Sequence, residues 1–110
     1  MENKYLGIFK LKSMLEESHI PFEFKIREFG VDKIYQICYP KDGYRRKCSV
    51  IQGNGTYGGE EDLLEIMGLL TDAEEENDSV LGYLTAENVF DRIEKDFFKN
   101  KLWQKLCNKH

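Results

Sequence analysis

Phe22, Phe24 and Ile26 alternate with Glu23, Lys25 and Arg27 directly after Pro21. A two-residue period belongs to a strand with one face in a core and the other in water. The proline keeps any preceding helix from running into it. A half-buried sheet must therefore form here, and something apolar must cover one side of it.

The flanking segments supply that cover and the rest of the sheet. Between Lys4 and Ser18, the residues Leu6, Ile8, Phe9, Leu11, Met14 and Leu15 recur at three- and four-residue spacing, which predicts an amphipathic helix. Lys33 to Tyr39 is rich in Ile and Tyr and reads as a second strand, closed by the turn residues Pro40-Lys41-Asp42-Gly43. A third strand runs from about Tyr44 to Ile51. Three strands on short connections predict an antiparallel meander with the first helix across one face. Beyond them, Leu63, Ile66, Met67 and Leu70 predict a helix over 60–70, and Thr71-Asp72-Ala73-Glu74 fits a capping box. Thr85 reads as the N-cap of a last helix with Ala86, Val89, Phe90, Ile93 and Phe97 on its buried stripe. The fold class expected is α+β: a three-stranded antiparallel meander with an N-terminal helix and two or three C-terminal helices packed on it.

At 110 residues the chain suits a single domain spanning 1–110. Within it, 98–110 is a basic helical tail, where Lys99, Lys101, Lys105 and Lys109 accompany Leu102, Trp103 and Leu106 without an acid. Such a tail either completes the domain's own core or touches a second copy, so a homo-oligomer is expected. No apolar run approaches the roughly 20 residues of a membrane span, and MENKYLGIFK has no apolar signal-peptide core, which predicts a cytoplasmic protein that binds no membrane. Cys38, Cys48 and Cys107 lack CxxC spacing, so neither a disulfide framework nor a zinc site is expected. Charge is segregated: residues 1–47 carry 10 Lys/Arg against 7 Asp/Glu, 48–91 carry 0 against 11, and 92–110 carry 6 against 2. A net charge of -4 argues against duplex nucleic acid as a partner.

Gly53-Asn54-Gly55-Thr56-Tyr57-Gly58 has G-x-G-x-x-G spacing between a predicted strand and a predicted helix. No βαβ unit surrounds it and no Lys-Ser/Thr closes it, which removes the dinucleotide and P-loop versions of the motif. What remains is a generic ligand loop. Asn54, Gly55, Thr56, Tyr57, Gly58 and Gly59 are the candidate ligand-binding residues, with Tyr57 as a stacking surface. Arg45 and Arg46, followed by Lys47, are the cations an anionic or nucleotide ligand would need, because Glu60, Glu61 and Asp62 would repel a phosphate. Catalysis has no support in the residues. His19 reads as a helix-end cap, no thiol sits beside a base, and neither a metal nor another cofactor is expected.

Gly55 to Thr71 (GTYGGEEDLLEIMGLLT) and Gly82 to Phe90 (GYLTAENVF) resemble a family of small proteins from phages and prophages of Gram-positive bacteria. The resemblance implies the cytoplasm of a bacterial host and an accessory, counter-defence role. Two functions fit that setting. One is non-enzymatic sequestration of a nucleotide-type signalling ligand at the glycine-rich loop of a homo-oligomer. The other is inhibition of a host protein through the acidic 60–78 surface.

Overall fold

A computed structural model describes residues 4–41 and 46–107, with the backbone alone at 103, 104, 106 and 107. The chain runs α1 (Gly7–Glu17), β1 (Glu23–Phe29), β2 (Asp32–Tyr39), β3 (Cys48–Gly53), a 3-10 turn (Gly59–Glu61), β4 (Leu64–Met67), α2 (Asp72–Asn77), β5 (Val80–Leu84) and α3 (Ala86–Cys107). The five strands form one antiparallel sheet in the order β1-β2-β3-β4-β5. The class is α+β, and the meander expected from the sequence is the first three strands of a longer one.

The alternation after Pro21 sets the layering. Pairing of Phe24 with Ile37, of Ile37 with Val50 and of Val50 with Ile66 puts an apolar row on one face of the sheet. Onto that face α1 lowers Ile8, Leu11 and Leu15, and α3 lowers Ala86, Val89 and Ile93, all in one buried cluster. Each fully buried Leu or Ile contributes about 1.5–3 kcal/mol over its exposed state, so this cluster is the main source of stability. On the other face Arg27 Nε donates to Gln36 Oε1 at 2.9 Å and Gln36 Nε2 to Ser49 Oγ at 2.8 Å, a polar chain across three strands.

α1 ends in a Schellman motif. His19, at φ 56°, donates its backbone N–H to the Glu16 carbonyl, and Ile20 donates to that of Leu15. The cap expected of His19 is thus made by its backbone.

The helix expected over 60–70 is instead the 3-10 turn followed by β4. Asp62, Gly68 and Leu69 have φ of 59°, 96° and 55°, and right-handed helix cannot run through three such residues. Leu64 and Ile66 are buried while Glu65 is half-buried and Met67 exposed, the alternation of a strand. β5 over 80–84 is a further strand that the sequence reading did not assign.

Both expected helix starts are present. Thr71 Oγ1 accepts from the Glu74 N–H and Glu74 Oε1 accepts from the Thr71 N–H, and Thr85 Oγ1 accepts from the Asn88 N–H. Glu74 has a second role. Arg92 of α3 donates Nη1 and Nη2 to its two carboxylate oxygens, both at 2.8 Å, and Nη1 also to the Leu69 carbonyl at 3.0 Å. This fork ties α2, which buries no residue of its own, to α3.

The Arg92 hydrogen bonds, then that of the Thr71 N–H, hold the Glu74 carboxyl down from its ordinary 4.5 to about 2. A carboxylate whose folded pKa is depressed stabilises the fold above its unfolded pKa, and the contribution is lost as pH falls from 4.5 towards 2. Glu74→Gln is therefore expected to lower stability at neutral pH and to flatten the acid limb of the stability profile. Urea melts at neutral pH and near pH 3 check this, with the gap between variant and parent narrowing at the lower pH.

Candidate functional site

The glycine-rich stretch joins β3 to β4 at the end of the sheet where α1 begins. Its shape is fixed from inside. The Gly53 N–H donates to Thr56 Oγ1, Thr56 Oγ1 to the Gly53 carbonyl, the Thr56 N–H to that same carbonyl and the Gly59 N–H to the Thr56 carbonyl. The Tyr57 N–H donates to Glu65 Oε1 at 2.8 Å. Gly59 lies against this ring so closely that a Cβ there would stand 2.3 Å from the Gly53 carbonyl oxygen. The loop then leans on β5, where the Tyr83 N–H donates to the Tyr57 carbonyl and Gly82 makes room for the Tyr57 side chain.

Next to the loop, Gln52 and Asp62 form a cradle for the first turn of α1. Asp62 Oδ1 accepts from the Leu6 and Gly7 N–H groups at 2.8 and 2.9 Å, and Gln52 Oε1 accepts from the Ile8 N–H at 2.9 Å. Gln52 Nε2 donates to Asp62 Oδ1 at 2.6 Å, which satisfies both ends of an amide with no solvent exposure. Leu6, at the helix start, supplies no side-chain cap, so a carboxylate from 56 residues further along does that work.

A cavity of about 240 Å³ opens on the outer side of the loop, lined by Asn54, Gly55, Thr56, Gly58, Glu60, Glu61 and Tyr83. Four of the six loop candidates thus line one recess. Tyr57 stands 55% exposed, Tyr83 at 60%, and Gly59 is buried beneath the loop. Glu60, Glu61 and Tyr83 belong to the lining without having been expected as ligand residues. In the sequence the two acids repel phosphate and belong to the acidic 60–78 surface of the protein-binding alternative, and Tyr83 sits in a strand whose apolar run is broken by Gly82.

Of the cations expected to serve the loop, the two that are described lie elsewhere. Arg46 is exposed ahead of Cys48, at the opposite end of β3, so roughly 17 Å of extended strand separates it from Gly53. Lys47 is turned to α3, 3.2 Å from Asp96, which also accepts from the Tyr39 hydroxyl at 2.8 Å. Arg45 falls outside the described residues. Along the chain, β4 lies between Glu60 and Glu61 and the acids of α2.

Neither described thiol resembles a nucleophile. Cys38 and Cys48 are buried, and burial pushes the Cys48 thiol up to about 12. Among the described residues no group of three or more His, Cys, Asp or Glu is arranged to hold a metal ion, and no helix is long and apolar enough to cross a membrane.

These features define a two-layer α+β fold carrying an acidic, tyrosine-flanked recess on an internally hydrogen-bonded loop. Compared with known proteins, the chain matches no family model, no curated protein and no solved structure.

Proposed function

We propose that the chain is a non-enzymatic binding module that presents the loop end of its sheet to a protein partner bearing basic side chains. The observation that carries this reading is the recess, where Glu60 and Glu61 stand beside Tyr83 and, among the described residues, no Lys or Arg lines it. Carboxylates at the rim attract guanidinium and ammonium groups, and a tyrosine face stacks on them. Tyrosine is also among the residue types enriched at protein interfaces. The likeness of 55–71 and 82–90 to phage and prophage proteins supports a host factor as that partner and inhibition in a bacterial cytoplasm as its effect.

The second reading, sequestration of a nucleotide-type ligand by Asn54–Gly59, draws on the same recess and on Tyr57 as a stacking surface. It is the weaker of the two. A phosphate cradle needs backbone N–H groups turned outward, whereas those of Gly53, Thr56, Tyr57 and Gly59 donate within the protein.

Calorimetry separates the two. Titration with an arginine-rich peptide is expected to give heat that Glu60→Lys/Glu61→Lys abolishes while the melting temperature is unchanged. Cyclic and linear nucleotides at about 100 μM are expected to give none. Nucleotide heat that Tyr57→Ala removes, with no heat from the peptide, would replace the first reading with the second.

A further inference from the structure

α3 is longer than the sheet it covers. Its 22 residues extend about 33 Å, against roughly 17–20 Å for a six-residue strand, and the molecule measures 55 Å along its longest axis. Asp91, Lys95, Phe98, Leu102 and Lys105 are all exposed on this helix, at spacings of four, three, four and three. These spacings have the period of a two-helix seam, and at the centre of the row the apolar Phe98 and Leu102 are 57% and 61% exposed.

Charge along α3 is divided about the same centre. From Ala86 to Asp96 the helix carries Glu87, Asp91, Glu94 and Asp96 against Arg92 and Lys95, whereas from Phe97 to Cys107 it carries Lys99, Lys101 and Lys105 with no acid. α2, with Asp72, Glu75 and Glu76 exposed, is fastened beside the acidic half through Arg92. One end of the helix is therefore complementary to the other end of a second copy. A parallel pair would set lysine against lysine.

We propose that this seam is a homodimer interface in which two α3 helices cross antiparallel, each basic end lying along the acidic half of the other. Phe98 of one copy packs on the aliphatic stem of Lys95 in the second copy. That register sets Glu94 opposite Lys101 of the second copy, and the twofold axis makes the pair twice. Among the described side chains, two large apolar ones per copy enter the seam, so the dimer is weak and its mass depends on concentration.

Sedimentation equilibrium over about 5–500 μM tests this, the weight-average mass rising from one chain towards two. Phe98→Ser/Leu102→Ser is expected to raise the dimer Kd at least about tenfold. These side chains are exposed, so circular dichroism should be unaltered. Glu94→Lys should weaken the dimer, and adding Lys101→Glu should restore it. A monomer mass across the whole range overturns the proposal. So does a dimer indifferent to the serine pair, or one that the double charge swap fails to rescue.

Discussion

Gln52→Leu is expected to destabilise the protein by about 2–4 kcal/mol, lowering Tm by roughly 10 °C, although leucine matches glutamine in volume and the site has no solvent exposure. A purely apolar core position would accept that exchange. Here the amide holds two partners, one of them fully buried: its Oε1 accepts from the Ile8 N–H and its Nε2 donates to Asp62. Leucine leaves that N–H at the first turn of α1 without an acceptor, at about 1–3 kcal/mol for a buried donor, and frees Asp62 from the contact that aims it. Asp62→Ala reaches the same helix from the other side. It removes the acceptor for Leu6 and Gly7 and places alanine at φ 59°, together about 2–3 kcal/mol. Asp62→Asn keeps an oxygen acceptor and a residue tolerant of that φ, so its loss should be under about 1 kcal/mol, from the charge at the helix start. Because Gln52 and Asp62 touch, the double variant should lose less than the sum of the single losses, which denaturant melts of all four proteins would show.

This cradle also marks where the sequence stops being legible. Asp62 was expected to sit at the positive end of a helix beginning with Glu60, and it does sit at such an end, but that of α1. Local spacing carried the assignment of α1, β1, the capping box and the Thr85 cap, because each depends on residues within four positions of one another. The segment 60–70 misled for the converse reason. Leu63, Ile66, Met67 and Leu70 satisfy a helical period, while the facts excluding a helix are positive φ at Asp62, Gly68 and Leu69, values set by packing against other strands. Gly68 illustrates this, since a Cβ there would stand 2.0 Å from the Lys47 carbonyl oxygen, a contact made across the sheet. Arg46 and Gly53 are seven positions apart, a separation that a sequence reading takes as near enough to share a ligand. Extended chain advances about 3.3 Å per residue, so they stand at opposite ends of a strand. The acids of the recess were visible in the sequence throughout. What the sequence did not show is that the N–H groups of Gly53, Thr56, Tyr57 and Gly59 donate within the protein.

The glycines of the loop can be divided by what they are for. Gly59→Ala is expected to destabilise by about 3 kcal/mol, because the new Cβ would lie 2.3 Å from the Gly53 carbonyl oxygen and 2.5 Å from Thr56 Oγ1. Neither neighbour can yield without breaking the ring of hydrogen bonds that shapes the loop. Gly55 meets nothing within 4 Å, so Gly55→Ala bears only its φ of 88°, about 1 kcal/mol. Gly55 lines the recess and Gly59 lies beneath it. If the glycines serve the loop's own closure, peptide binding should survive Gly55→Ala with little change in affinity. Gly59→Ala should weaken it together with stability, since the loop itself is displaced. If instead Gly55 admits a ligand to close backbone approach, Gly55→Ala would reduce binding at least about tenfold at nearly unchanged Tm. Paired calorimetry and thermal melts on the two variants distinguish a loop built for its own shape from one whose backbone touches what it binds.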